Sequence, residues 1–162
     1  MYKEKEHVPE FEDFYVPFGG HLRKDNRWVR LAAIIPWEEI EAEYKKCFSK
    51  RIGRTAKTVR LALGSLLIKE KLQLTDEETV ETIRENHYLQ YFLGYESYKD
   101  EKPFNPSMMV HFRKRLGPDA IAQINELIAK RYQEQVEAES EKNRTKKTKR
   151  MTMIMEIEGN SL

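Results

Sequence analysis

The chain has 162 residues, of which 35% are charged, yet its formal net charge is only +2. This length is enough for one domain with a hydrophobic core. A single cysteine, Cys47, excludes an internal disulfide and is typical of a reducing, cytoplasmic compartment. The N-terminus has no signal-peptide pattern, and the longest uncharged apolar stretches, 31–35 and 61–68, are shorter than the roughly 18 residues of a membrane span. We therefore expect a cytoplasmic protein outside the membrane.

Two helices are predicted in the first half of the chain. The first covers 36–48, with Pro36 as its first residue, acids in its first turn and lysines in its last, as the helix dipole favours. Its apolar residues recur at helical spacing: Trp37, Ile40, Tyr44 and Phe48. The second follows Thr55, a suitable N-cap, and extends to about Lys71. Its broad apolar stripe indicates the central helix of the domain.

The middle of the chain carries clear helix boundaries. Thr75 and Glu78 form a capping-box pattern that starts a helix of about 76–86. A short helix follows and ends at Gly94, because glycine readily adopts the left-handed conformation of a helix C-terminus. The segment YESYKDEKPF is predicted to be a loop.

Two further helices are predicted before a charged C-terminal arm. Asn105 and Pro106 form a cap and first-turn pair for a helix that ends at Leu116, and a final long helix follows. No convincing strand pattern accompanies them. We therefore predict a compact all-α domain over 1–140, followed over 141–162 by a disordered basic arm, KNRTKKTKR, and an unusual tail.

Charge is concentrated in blocks that the net total hides. Residues 51–71 hold six basic and one acidic side chain, 72–101 hold two basic and eight acidic, and 102–132 hold six basic and two acidic. Two positive segments thus flank a negative one. Two such segments and a basic arm in one small chain favour a nucleic-acid binder.

No group of residues matches a known kind of active site. The four histidines are His7, His21, His87 and His111, and none has metal-type spacing or an HExxH arrangement. Serine and cysteine nucleophile patterns are absent as well. We expect no catalytic residue, no bound metal and no cofactor.

The basic residues supply the candidate binding site. In the helix that follows Asn105, the residues Met109, Phe112 and Leu116 can form the inner face. The DNA-contacting candidates of this helix are Ser107, His111, Arg113, Lys114 and Arg115. A second candidate set spans the link and the start of the central helix: Arg51, Arg54, Lys57 and Arg60. The alternatives are an ordinary surface helix whose positive end complements its dipole, and a solvated cationic link.

The ordered pieces resemble a known family. The stretches IIPWEEI, RLALGSLLIKEKLQLTDEETVETIRENHYLQYFLG and PFNPSMMVHFRKRLG, within roughly residues 14–140, strongly resemble the N-terminal helical domain of InsH-type insertion-sequence transposases of the DDE class. The resemblance implies a domain related to helix-turn-helix proteins that helps bind the terminal inverted repeats of the element. In that family a separate RNase H-like domain supplies an Asp, Asp, Glu triad that holds two divalent metals for strand cleavage and transfer.

The chain departs from the family after its basic arm. Relatives continue into a strand that ends in the first catalytic Asp, whereas this sequence continues as MTMIMEIEGNSL. With suitable synonymous codons, a single-nucleotide shift converts this tail into a polar stretch followed by Lys-Leu-Ile, which begins the family's strand. We therefore hypothesise that a frameshift near residues 148–151 truncated a full transposase. The alternative is a naturally short protein with a divergent tail.

These observations predict a non-catalytic protein that binds double-stranded DNA at transposon ends, with a second copy or a full-length transposase as a protein partner. Two other interpretations stay open. One is a helical interaction module in which the acidic segment 76–101 and the cluster of Tyr88, Tyr91 and Phe92 dock onto a catalytic domain or a second copy, although core packing of these aromatics is favoured. The other is a small transcriptional regulator.

Overall fold

Seven α-helices make up the described part of the computed structural model, which covers residues 14–16, 20–46, 48 and 57–159. In chain order they are α1 (Arg27–Ile34), α2 (Trp37–Lys46), α3 (Val59–Leu72), α4 (Asp76–Glu85), α5 (His87–Phe92), α6 (Met108–Arg115) and α7 (Pro118–Gly159). These ranges contain no strand, so the prediction of an all-α fold is confirmed.

α1 is the helix that the sequence pattern does not predict. Asn26 caps it, since the Asn26 side-chain oxygen accepts a hydrogen bond from the Trp28 backbone N–H at 2.8 Å. Trp28, Val29 and Ala32 are buried, and the ring of Trp28 lies 5.3 Å from that of Phe92. α1 has eight residues, as α6 does, but no Asn-Pro pair marks its start and no Gly-Pro pair marks its end.

α2 forms where the sequence predicts, although it is shorter at both ends. It begins at Trp37 and ends before Phe48. Ile40 and Tyr44 are buried, while Trp37 and Phe48 pack against the core cluster. The predicted apolar face of this helix is therefore confirmed.

α3 is the central helix, as predicted, because it contacts α2, α4, α5 and α6. It begins later than expected: the Thr58 hydroxyl accepts the Leu61 N–H at 3.3 Å and so acts as the N-cap, whereas Thr55 lies outside the described residues. Gly64 allows close packing, since a Cβ at this position would lie 2.5 Å from Cδ2 of Leu93 at the end of α5.

Side-chain caps define α4 and α5. The predicted capping box is confirmed: the Thr75 hydroxyl accepts the Glu78 N–H at 3.2 Å, and the Glu78 carboxylate accepts the Thr75 N–H at 2.8 Å. Asn86 caps α5 by accepting the Tyr88 N–H at 2.9 Å. Gly94, with φ of 79°, follows α5 in the left-handed conformation that its prediction as a helix terminator requires.

A buried amide holds the predicted loop between α5 and α6 in place. Gln90 Nε2 donates to the carbonyl oxygens of Ile83 at 3.1 Å and Lys99 at 2.8 Å, while Oε1 accepts the Lys99 N–H at 2.8 Å. The same loop makes an isolated β-bridge between Ser97 and Tyr15. These bonds satisfy polar groups that burial would otherwise leave unpaired.

α6 begins at Met108, two residues later than the sequence predicts. Asn105 still organises this end, because its side-chain oxygen accepts the Ser107 N–H at 3.0 Å and the Ser107 hydroxyl at 2.8 Å. The chain therefore makes a turn through Pro106 before the helix proper starts.

α7 continues through the residues that the sequence predicts as a disordered arm. Its backbone is helical as far as Gly159, and the Thr145 and Thr148 hydroxyls donate to carbonyl oxygens one turn earlier. The charged composition of 142–150 excludes a packed core but not a helix, because these residues include no proline or glycine.

The hydrophobic core surrounds α3 and anchors both α6 and the first turns of α7. Its largest fully buried side chains include Tyr44, Phe92, Phe112, Ile40, Leu63, Ile68, Ile83, Leu89 and Met109. From α7, Ile124 is buried and Ile121, Leu127 and Ile128 pack against the cluster. This anchoring determines which face of α6 meets solvent.

Candidate nucleic-acid interface

α6 turns one face to the core and the other to solvent. Its Met109 and Phe112 are fully buried, and the rings of Phe104 and Phe112 meet edge to face at 5.1 Å. These contacts fix the rotation of the helix about its axis. The exposed residues at its first turn and outer face include Ser107, His111 and Lys114, as the sequence predicts.

Arg113 binds the N-terminus of α4. Its Nη1 and Nη2 each lie 2.9 Å from a carboxylate oxygen of Asp76, a bidentate geometry that is stronger than a single hydrogen bond. The hydrogen bonds from Arg113 hold the pKa of the Asp76 carboxyl below its usual value, and Lys69, 3.3 Å away, acts in the same direction. Arg113 thus fastens α6 to α4 in the protein without DNA.

Arg115 lies at the corner between α6 and α7 and is half-buried. Its guanidinium carbon is 5.1 Å from the centre of the Phe48 ring, and its buried Nη1 has no hydrogen-bond partner in the part of the chain that the structure describes. Arg115 and Lys114 border a cleft of about 580 Å³, together with Glu43 and Asp119. Because α7 also begins at this corner, the positive end of its helix dipole adds to the charge of Lys114 and Arg115.

Arg60 requires a correction, because it is not an exposed member of the second basic set. Its Nε donates to the Phe92 carbonyl at 2.8 Å and its Nη2 to the Tyr91 carbonyl at 3.0 Å, and its guanidinium lies 5.3 Å from the Trp37 ring centre. Burial lowers the pKa of Arg60 to about 10. The residue therefore caps the C-terminal end of α5 and is occupied within the domain.

The rest of the second basic set is only partly covered by the structure. Lys57 is exposed and lies just before the Thr58 cap of α3. Arg51 and Arg54 lie outside the described residues. Of this set, Lys57 is thus the residue that the structure places at the surface.

The aromatic cluster of the competing interaction-module interpretation belongs to the core. Phe92 is fully buried, and Tyr91 is 9% exposed with its ring edge-to-face against Phe14 at 5.8 Å. The Tyr88 hydroxyl accepts the Arg23 N–H at 3.1 Å. Core packing, which the sequence favours for these residues, is therefore confirmed, and the cluster offers no docking surface of its own.

Two partners of the basic residues are hard to infer from sequence. Asp76 lies 37 positions from Arg113, and its only local signal is that of an acidic residue in a helix's first turn. The sequence around Arg60 gives a clearer indication of burial, since Arg60 stands between Val59 and Leu61, which are both buried. A cation within such an apolar helix indicates a buried guanidinium with carbonyl partners.

Over the described ranges, no group of three or more His, Cys, Asp or Glu side chains is placed to hold a metal ion. Burial lowers the pKa of His87, whose ring packs at 4.4 Å on that of Tyr88. Hydropathy along the helices of the same ranges identifies none that could span a membrane. The exposed face of α6 offers hydrogen-bonding groups and charge, the means by which proteins contact bases and phosphates.

Comparisons with known proteins concern the part of the chain that carries this face. A family described as "Transposase domain (DUF772)" matches residues 16–115, which include α1 to α6. A relative from Rhizobium meliloti, "Uncharacterized protein ORF8 in nfe locus", is 38% identical over 96 residues. The matched region is 59% of this chain and 46% of the relative, so the chain spans less than half of the relative's length. No solved structure matches.

Proposed function

The chain belongs to the transposase domain family DUF772, and we propose that it binds double-stranded DNA at the ends of a transposable element. The observation that carries this proposal is the outward face of α6, where His111 and Lys114 are exposed on a helix that the buried Phe112 anchors. The major groove of DNA admits one α-helix of this kind. Family membership supports a DNA ligand, because transposition acts on DNA.

In this proposal the two ends of α6 have different tasks. Ser107 and His111, near its N-terminal end, carry hydrogen-bonding groups suited to base edges. Lys114 and Arg115, at its basic end, contact phosphates, aided by the positive end of the α7 dipole. Arg113 keeps its bond to Asp76 and so orients the helix against α4.

A second contact to the DNA backbone comes from the segment before α3. Lys57 is exposed there, and Arg51 and Arg54 precede it in the sequence. We assign phosphate contacts to these three residues and none to Arg60, whose donors are occupied by the carbonyls at the end of α5.

The finer identity follows from the sequence resemblance. We propose that the chain is the N-terminal helical domain of an InsH-type transposase of the DDE class, related to helix-turn-helix proteins, with α6 as the recognition helix. Strand cleavage and transfer are then the task of an RNase H-like catalytic domain and not of α1–α7. We infer a cytoplasmic location, because the single cysteine is typical of a reducing compartment.

A gel-shift titration with inverted-repeat DNA and with random DNA of equal length tests the proposal. We expect tighter binding to the inverted repeat. K114A should weaken binding to both DNAs several-fold and reduce the slope of log affinity against log salt by about one, because one phosphate contact is lost. K99A removes the same charge from an exposed position in the acidic segment and serves as the matched control.

Three results would count against this assignment. Equal affinity for the two DNAs contradicts recognition of element ends. Equal losses in K114A and K99A contradict the placement of the contact on α6. Binding to neither DNA contradicts the function itself and favours the interaction-module interpretation.

A further inference from the structure

Only the beginning of α7 is part of the packed domain among the residues described. The helix has 42 residues, which makes it about 63 Å long. Its packed side chains are Ile121, Ile124, Leu127 and Ile128. We call residues 132–149 the charged segment. Nearly all of its side chains are exposed, and among them Tyr132 is 56% exposed and Val136 is 48% exposed.

The charged segment has the features of a helix that requires a partner. Helices gain most of their stability in proteins from packing of an apolar face, and an unpacked polar helix is marginal in water. Tyr132 and Val136 follow Ile128 at steps of one turn, so the apolar line that reaches the core continues onto the exposed part of the helix. Beyond Val136 the side chains up to 149 are charged or polar, apart from that of Ala138.

Charge in this segment is separated by sign. Residues 133–141 contain four glutamates and no basic residue, and residues 142–149 contain five lysines and arginines and no acidic residue. We propose that the charged segment pairs in antiparallel orientation with the same segment of a second copy of the chain. The acidic half of each helix then lies along the basic half of the other.

The register of this pairing follows from the sequence. With the two-fold axis between 141 and 142 and the Val136 side of each helix inward, Glu137 of one copy lies beside Arg144 of the other on one flank of the contact, and Glu139 lies beside Lys146 on the other flank. A parallel arrangement would place glutamate beside glutamate and lysine beside lysine, which is repulsive. Charge complementarity thus selects both the partner and its orientation.

The proposed register also indicates which forces hold the two helices together. Val136 lies opposite Lys147 in this register, and the aliphatic stem of a lysine can cover such a side chain while its ammonium stays in water. The apolar area is small, so electrostatic attraction supplies most of the affinity and salt weakens it. This inference does not depend on DNA binding, and the dimer carries one helical domain at each end of the paired helices.

Sedimentation of the full chain at about 50 mM and at about 1 M salt tests the pairing, since the screening length falls from over 10 Å to about 3 Å between them. We expect a dimer at low salt and a dissociation constant at least tenfold higher at high salt. Two charge-reversal variants sharpen the test. The all-basic variant is E134K/E137K/E139K/E141K, and the acidic variant is K142E/R144E/K146E/K149E. Each alone should be monomeric, and an equimolar mixture should form a heterodimer.

The mixture also separates loss of pairing from loss of folding, because a misfolded variant would not restore association. E85K reverses an exposed acid of α4 and should leave the dimer intact. A monomeric wild-type chain at low salt overturns the proposal, as does a dimer that persists in both reversed variants. A wild-type monomer whose basic half is required for DNA binding would identify DNA as the occupant of this surface instead.

Discussion

Charged side chains have different partners in the packed helices and in the charged segment of α7. Within the packed helices, Arg60 binds the carbonyls that end α5, and Arg113 binds the carboxylate of Asp76. In the charged segment, acids and bases occupy separate halves of an exposed helix. The number of cations in the sequence therefore does not tell how many of them are available to bind another molecule. Burial and long-range pairing assign some cations to the fold, and only exposed ones remain for another molecule.

The largest effect should come from Arg60, whose guanidinium is bound inside the domain. R60A removes the donors to the Tyr91 and Phe92 carbonyls and the side chain that packs on Trp37. We expect the free energy of unfolding to fall by about 3 kcal/mol, since hydrogen bonds to a charged group and packing are lost together. Urea denaturation measures this loss, with R30A, at an exposed arginine of α1, as the control. A loss below about 1 kcal/mol would contradict the contrast between cations that stabilise the packed helices and cations that stay exposed in the charged segment.

A backbone change beside the same guanidinium should cost less. G94A places a side chain at φ of 79°, and its Cβ would lie 2.9 Å from Cδ of Arg60. We expect a loss of about 1–2 kcal/mol in thermal or urea unfolding, because the left-handed conformation is strained for alanine. G117A is the matched control, since a Cβ there meets nothing within 4 Å. Similar losses in the two variants would contradict a close contact at Gly94.

The ion pair between α6 and α4 should contribute still less, because Arg113 is 44% exposed and solvent screens it. R113A should lower the free energy of unfolding by about 0.5–1 kcal/mol at neutral pH. The folded-state pKa of Asp76 is lowered, so this contribution is present above the ordinary carboxyl pKa and is lost as pH falls through the lowered value. Unfolding measured from neutral to acidic pH should therefore show the gap between wild type and R113A closing. A gap that stays constant would exclude Asp76 as its source.

The smallest effect on stability is expected in the charged segment. K146A should change the free energy of unfolding by less than about 0.5 kcal/mol, because the side chain is exposed. The same variant should weaken low-salt dimerisation several-fold, since it removes the cation beside Glu139 in the proposed register. Unfolding and sedimentation of one preparation measure both quantities. A stability loss as large as that of R113A would mean that the segment packs on the domain.

Local signals predicted most of the helical architecture. The Thr75 and Glu78 capping box and the terminating Gly94 lie where expected, because each acts on backbone groups within one turn of itself. α1 is not predicted because neither an Asn-Pro pair nor a Gly-Pro pair marks its ends, as they do for the equally short α6. The composition of 142–150 predicts a disordered arm because it excludes a packed core. The same composition does not exclude a helix, and α7 includes these residues.

One part of the candidate binding face can likewise be predicted from the sequence, and another part cannot. The apolar spacing of Met109 and Phe112 identified the inner side of α6 and therefore the exposure of Lys114, since a helix repeats every 3.6 residues. No local pattern could pair Arg113 with an acid of another helix or identify the carbonyl groups that Arg60 binds. Sequence patterns alone thus predict six of the seven helices of the described residues, the apolar faces of those helices and the blocks of charge. The burial of Arg60 and the ion pair of Arg113 become visible in the tertiary structure alone. Both depend on contacts between residues far apart in the sequence, and these contacts form when the helices pack.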